Sequence, residues 1–200
     1  MSSLKPFLLI VLSFFIFSCN NVQEQTATET PEEIAVEEVI EEEPKDLFSK
    51  LRTYCGKTYP GKLLHSYAGP DFYKGKPMLI KLEYCNDNEI SIPFAVGEDG
   101  SKTWKLSKTE GGFALRHQEV DEKGKPKNIT NYGGDAVTDA NNPFTLTFPA
   151  NEETAKMISV AKDNIWVLDL DDAAQTLTYT IKRGKDTRFS VVFDLNTPVD

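Results

Sequence analysis

Histidine and cysteine, the residues that most often hold zinc, are scarce in this sequence. Only two of its 200 residues are histidine and three are cysteine. Protein zinc sites take three or four ligands, so His65 and His117 alone argue against one. The sequence also lacks a Gly-x-Ser-x-Gly nucleophile elbow and a His-Glu-x-x-His motif. We therefore predict no metal and no other cofactor. Hydrolysis by paired carboxylates is only the third of our functional hypotheses.

Positive charge is limited as well. The formal net charge is −9 at pH 7, and the excess of acid is confined to one stretch. Between Asn20 and Asp46 there are ten acidic residues and one lysine, whereas residues 47–200 carry 21 acidic and 20 basic residues. Nucleic-acid-binding domains need a basic face. The near neutrality of residues 47–200 therefore argues against a nucleic-acid partner.

No apolar run of the sequence is long enough to cross a membrane. The longest run, Phe7–Phe17, falls short of the roughly 20 apolar residues that a spanning helix needs. It follows Lys5 and ends at the small residue Ser18. A basic start, a short apolar core and a small residue at the end are typical of a secretory signal peptide. We predict that residues 1–18 are such a leader.

The residues before Cys19 add a second signal. Ile16-Phe17-Ser18-Cys19 resembles the lipobox of bacterial lipoproteins. The resemblance implies that Cys19 carries a diacylglyceryl group and acyl chains such as palmitate, becomes the mature N-terminus and anchors the protein in a membrane. It implies a cell-envelope location, as an outer-membrane lipoprotein that faces the periplasm or the cell surface. The alternative is an ordinary secreted protein whose leader contains a cysteine.

Lipidation of Cys19 would also explain an odd number of cysteines in an exported protein. Cys55 and Cys85 are then left as a pair in an oxidising compartment, and we predict a disulfide between them. Two reduced thiols are the alternative.

Residues 19–46 contain no aromatic side chain and are dominated by Glu, Thr, Ala and Val. A segment of this composition buries too little apolar surface to fold. We predict that it is a flexible acidic tether, which holds the domain away from an anionic lipid surface. A short helix that starts at Thr30-Pro31 and a segment that docks a partner are the alternatives.

From residue 57 onward, apolar and polar side chains alternate in short runs with turn residues between them, as in β-strands. Asn151–Ala161 instead has an N-cap asparagine and helical spacing. The short loops favour antiparallel pairing of consecutive strands. We predict that residues 47–200 form one all-β domain, an antiparallel meander that closes into a lipocalin-like β-barrel with one short helix. A β-sandwich is the alternative. The predicted strands are Lys57–Ser66, Met78–Tyr84, Glu89–Val96, Lys102–Lys108, Phe113–Val120, Phe144–Phe148, Ile165–Leu170, Thr176–Lys182 and Arg188–Leu195.

His117 is the first candidate ligand-binding residue. It follows Phe113 and Leu115 at two-residue spacing, so we expect it to face the inside of the barrel with them. A histidine on the inner wall can line a ligand cavity. A core histidine that is hydrogen-bonded to a neighbour is the alternative. Trp104 is assigned to the core.

The other candidates lie in the segment Asn131–Asp139, which we predict to be irregular. Its aromatic side chain is flanked by an amide and a carboxylate, a combination that suits contact with a sugar or a peptide. The alternative is a turn that needs glycine at positive φ. The candidate ligand-binding residues of this segment are Asn131, Tyr132 and Asp135.

Short runs with glycine, cysteine and aromatic residues are spread over residues 47–200: Cys55-Gly56-Lys57, Gly61-Lys62, Cys85, Ile92-Pro93-Phe94, Val96–Asp99, Ser101, Thr103-Trp104 and Tyr132–Asp135. Together they resemble a group of uncharacterised bacterial secreted proteins, which implies no activity. Our first functional hypothesis is a lipid-anchored envelope module whose barrel contacts a small or extended ligand. The second is an adaptor that docks another envelope protein through a strand edge or the tether.

Overall fold

The computed structural model describes residues 43–138 and 141–199. These residues form two α-helices, two 3-10 helices and eleven β-strands. The helices are α1 (Leu47–Thr53) and α2 (Glu152–Met157), with 3-10 helices at Pro70–Tyr73 and Ser159–Ala161. The strands are β1 (Thr58–Ser66), β2 (Met78–Lys81), β3 (Glu89–Val96), β4 (Asp99–Thr109), β5 (Gly112–Glu119), β6 (Tyr132–Asp135), β7 (Val137–Thr138), β8 (Thr145–Pro149), β9 (Asn164–Asp171), β10 (Thr176–Arg183) and β11 (Asp186–Asp194).

All eleven strands belong to one antiparallel sheet, in the order β6-β5-β4-β3-β2-β1-β11-β10-β9-β8-β7. The first strand pairs with the last, with Gly61 opposite Phe193. One short segment forms both ends of the sheet. In this segment β6 pairs with β5, whereas β7, which begins two residues later, pairs with β8. The sheet is therefore almost completely closed. This confirms the predicted antiparallel meander and barrel.

The prediction that the segment 131–139 is irregular was wrong for Tyr132–Asp135 and Val137–Thr138, which form β6 and β7. Two glycines of β6 allow neighbouring strands to approach closely. Gly133 and Gly134 are buried within β6, and neither has positive φ. A Cβ atom would overlap the carbonyl oxygen of Leu115 at the first and that of Pro149 at the second. Only glycine fits between these neighbouring strands. Because glycine is rare in strands, sequence analysis did not predict β6.

Helix α1 was not predicted, and it closes one end of the barrel. Asp46 is its N-cap and accepts a hydrogen bond from the Ser49 backbone N–H at 2.7 Å, while the Ser49 hydroxyl accepts one from the Asp46 N–H at 3.2 Å. This reciprocal capping box stabilises a helix of only seven residues. Its apolar side chains are fully buried in the core: Leu47, Phe48 and Leu51.

The predicted disulfide between Cys55 and Cys85 is present. It joins the chain just after α1 to the chain just after β2, so it holds the capping helix against the barrel. Gly56 has positive φ and donates its N–H to the Leu82 carbonyl oxygen at 2.6 Å. The strand predicted to reach Tyr84 ends at Lys81, and the Tyr84 side chain is exposed.

The predicted leader, Cys19 and most of the tether lie outside the described residues. The boundaries of the leader and tether stay predictions. In the part of the chain that is described, no helix is both long enough and apolar enough to span a membrane.

Candidate functional site

A cavity of about 480 Å³ lies at the end of the barrel opposite α1, which we call the open end. Phe48 of α1 stacks on Phe113 at the start of β5. The cavity is instead bordered by residues where β1 and β10 end, including Ser66 and Arg183. Consecutive antiparallel strands place these positions at opposite ends of the barrel. The β1–β2 loop and the β8–β9 connection contribute lining residues at this end, among them Tyr67 and Val160.

Aromatic side chains form a large part of the cavity wall. Trp104 and Tyr179 stack with ring centroids 4.0 Å apart and an interplanar angle of 19°. Trp104 is 1% exposed, so its assignment to the core holds, but one side of it borders the cavity. Apolar walls with few polar groups are typical of small-molecule sites. The remaining aromatic lining residues are Tyr67, Tyr73, Phe94, Tyr132, Trp166 and Phe189.

His117 lies in this wall and is fully hydrogen-bonded. Its Nδ1 is 3.2 Å from the Tyr132 carbonyl oxygen, which can only accept, so Nδ1 carries the proton. Its Nε2 is 2.7 Å from the Tyr179 hydroxyl and, in the neutral ring, accepts a hydrogen bond from it. The Tyr132 ring stacks on the imidazole with centroids 5.0 Å apart. The imidazole is therefore fixed in one tautomer and one orientation.

Burial shifts the pKa values of His117, Tyr179 and Tyr132 and so determines their protonation. Desolvation lowers the pKa of His117 from 6.5 to about 4, although the hydrogen bond to Tyr132 opposes the shift. Burial likewise raises the pKa of the Tyr179 hydroxyl. It also raises the pKa of Tyr132, whose hydroxyl donates to Glu119 at 2.8 Å. At neutral pH the imidazole of His117 and the hydroxyls of Tyr132 and Tyr179 are therefore uncharged.

Three cations lie at the mouth of the cavity: Lys102, Arg183 and Arg188. Arg183 continues the inward alternation of Tyr179 and Ile181 on β10. Ile181 of β10 pairs with Phe189 of β11, and the next residue, Lys182, pairs with Thr187. Arg188 is therefore the extra residue of a β-bulge in β11. A bulge changes the direction of a side chain. It explains how Arg188 lines the cavity directly beside Phe189, which also faces inward.

The structure brings together two of the four predicted ligand-binding residues. His117 and Tyr132 both line the cavity, where their contact with a ligand stays a prediction. Asn131 is exposed, with φ of 61°. Asp135 is exposed and pairs with Arg116 at 2.7 Å. Neither Asn131 nor Asp135 lines the cavity: Asn131 precedes β6, and Asp135 lies on the outer face of this strand.

Sequence analysis missed several residues of the cavity: Trp166, Tyr179, Arg183 and Arg188. The alternation of Ile181, Tyr179 and Leu177 marks the inner face of β10 and would have found Tyr179 and Arg183. For Arg188 no such signal exists, since the bulge reverses its direction. His65 is exposed on β1 and does not line the cavity.

No group of three potential metal ligands occurs among residues 43–138 and 141–199. The acidic residues at the end of β9 have structural partners: Asp171 accepts a hydrogen bond from the Ala174 N–H, and Asp172, the next residue, pairs with Lys50 of α1 at 2.7 Å. No protein family matches the chain, and no curated protein or solved structure shows significant similarity to it. The site must therefore be interpreted from its own geometry.

Proposed function

We propose that this protein binds a small, largely apolar ligand inside the open end of its barrel. The cavity supports the proposal, because its volume of about 480 Å³ lies within the roughly 300–1,000 Å³ of typical ligand sites. Stacked aromatic walls favour a flat or apolar ligand body.

The state of the polar groups in the wall supports binding rather than catalysis. His117 uses both ring nitrogens in hydrogen bonds to Tyr132 and Tyr179. Its pKa of about 4 places it below the range in which a general base works well at neutral pH. A rigid neutral network of this kind shapes a binding wall.

The neutral aromatic dye phenylnaphthylamine tests this function through fluorescence titration of the purified protein. Ile181→Trp adds a large ring inside the cavity, whereas Lys182→Trp adds the same ring at the next, exposed position. We expect saturable binding by the wild type and by Lys182→Trp. The Ile181→Trp variant should bind at least about tenfold more weakly. Circular dichroism would verify that both variants are folded.

Absence of saturable binding by the wild type would contradict the proposal. Equal affinities of the two tryptophan variants would also contradict it, since the dye would then occupy another site.

We further propose that the barrel is a module of the bacterial cell envelope, anchored through lipid on Cys19. The disulfide between Cys55 and Cys85 supports this location, since such bonds persist in oxidising compartments. It also leaves Cys19 as the unpaired cysteine. In the native host, Cys19→Ala should move the protein from the membrane fraction to the soluble fraction. A variant that stays with the membrane would refute the lipid anchor.

A further inference from the structure

The charged residues that line the cavity are all cationic. Of the described residues that line it, three are cationic and none is aspartate or glutamate. His117 adds no charge at neutral pH, because its pKa is lowered to about 4. A cavity with cationic groups and no carboxylate of its own favours a ligand that carries negative charge.

The three cations are not equivalent. Lys102 lies 3.3 Å from Asp99, so a carboxylate already neutralises it. Arg183 and Arg188 are both half-buried, and neither forms an ion pair with any residue in the described ranges. Partly buried guanidinium groups without a carboxylate partner are positioned to accept an anion.

Both guanidinium groups are held in place by neutral neighbours. The Arg183 Nε donates to the Asn164 Oδ1 at 2.9 Å, which leaves its terminal nitrogens for another acceptor. The Arg188 guanidinium lies over the Tyr67 ring, 3.4 Å from its centroid. Stacking occupies the face of the guanidinium and leaves its N–H edge available. The backbone N–H of Tyr67 also donates to the Arg188 carbonyl oxygen at 2.9 Å.

The polar groups deeper in the cavity are already satisfied. Tyr179 donates to His117, which donates in turn to Tyr132. Asn164 accepts from Arg183. Among the charged groups of the lining, Arg183 and Arg188 are the ones whose N–H donors have no carboxylate partner in the described ranges, whereas Lys102 pairs with Asp99.

We propose that the ligand is an amphipathic anion, with its apolar body between the aromatic walls and its acidic group at Arg183 and Arg188. A carboxylate, sulfonate or phosphate matches the paired N–H groups of a guanidinium. The inference rests on the ligand-binding function proposed above and specifies its ligand class.

Two dyes of the same carbon skeleton test the ligand class. Anilinonaphthalene sulfonate carries one negative charge, and phenylnaphthylamine is its neutral counterpart. In the wild type the anionic dye should bind about tenfold or more tightly than the neutral dye, as expected for hydrogen bonds to charged groups. The double variant Arg183→Gln/Arg188→Gln should lose this preference while its affinity for the neutral dye stays within about twofold.

The matched control is Lys182→Gln/Lys185→Gln. It removes two positive charges from the same hairpin, at exposed residues that do not line the cavity. This variant should keep the preference for the anionic dye. If the control loses the preference for the anionic dye to the same extent, the preference comes from the overall positive charge of the hairpin. That result would overturn the assignment to the arginines.

The outcomes separate the two proposals. If the neutral dye binds at the cavity and the anionic dye binds no more tightly, the ligand class is wrong while the binding function stands. A preference that survives in the double arginine variant overturns the inference in the same way. If neither dye binds, the binding function itself fails, and the ligand class fails with it.

Discussion

The two ends of the barrel differ in what covers them. At the closed end, α1 inserts three apolar side chains into the core, and the disulfide holds it there. At the open end, loops and a turn surround a cavity whose mouth carries three cations. The same strands form both ends, so the sheet itself does not decide which end is filled.

The difference follows from the side chains that each covering segment supplies. Leu47, Phe48 and Leu51 can be buried without any polar partner. Arg183 and Arg188 cannot be buried unless an opposite charge accompanies them. The open end therefore keeps solvent access and a cavity, whereas the closed end provides stability. We expect substitutions at the closed end to reduce stability, and substitutions at the open end to change binding and pH dependence.

The largest effect is expected for Phe48→Ala. Phe48 is fully buried and stacks on Phe113 at 5.6 Å, so its loss leaves a void in the packed end. The free energy of unfolding should fall by about 3–5 kcal/mol in urea denaturation. Phe189→Ala is the matched change at the open end. This variant should lose less free energy of unfolding than Phe48→Ala, because one side of Phe189 already borders the cavity. Equal losses would remove the distinction between the two ends.

Removal of the disulfide should have the next largest effect. In the chain-entropy account, a bond that spans 30 residues stabilises a fold by about 3–4 kcal/mol. Cys55→Ala/Cys85→Ala should lose about this amount in urea denaturation and still bind phenylnaphthylamine, because the bond lies at the closed end. The wild type under reducing conditions is the control and should show the same loss. Loss of dye binding by the folded variant would show that the two ends are coupled.

At the open end, His117 should make stability depend on pH. Its folded pKa is about 4, below the ordinary 6.5, so the unfolded chain binds more protons between these values. The free energy of unfolding should therefore fall, by about 3 kcal/mol in total, as the pH is lowered from 6.5 to 4. At higher pH this contribution is fully present.

Two glutamine substitutions separate His117 from the rest of the protein. His117→Gln should flatten this part of the profile of unfolding free energy against pH. His65→Gln, at an exposed position on β1, should leave it unchanged. A profile in His117→Gln that matches the wild type would assign the pH dependence to other groups.

The smallest effect is expected on the outer wall. Asp135 pairs with Arg116 at 2.7 Å on the exposed face of β6. Asp135→Asn should change the free energy of unfolding by less than about 1 kcal/mol, as for other surface ion pairs. It should also leave the affinity for both dyes unchanged. A weaker affinity in this variant would return Asp135 to the list of ligand-binding residues and extend the site beyond the cavity.

The sequence was sufficient to predict the strands with clean alternation. Ile90, Ile92 and Phe94 mark the inner face of β3, and its predicted bounds match the structure. The alternation also placed Trp104 and His117 inside the barrel correctly. Burial of one sheet face imposes a period of two on the sequence, and this signal is local.

Local sequence patterns did not predict elements whose structure depends on contacts with distant parts of the chain. Gly133 and Gly134 form a strand because the carbonyl oxygens of Leu115 and Pro149 leave no room for a side chain. The capping pattern of Asp46 and Ser49 is readable in the sequence, but seven residues make a stable helix only through packing on the barrel.

The sequence by itself predicted the strands with clean alternation, most of their inward-facing residues and the pairing of Cys55 with Cys85. Each of these follows from alternation, turn residues or a count of cysteines along the chain. Only the tertiary structure decided that α1 fills one end while Arg183 and Arg188 meet aromatic walls at the other. The reason is physical: a cavity is space left between residues distant in the chain, and no local pattern encodes an empty volume.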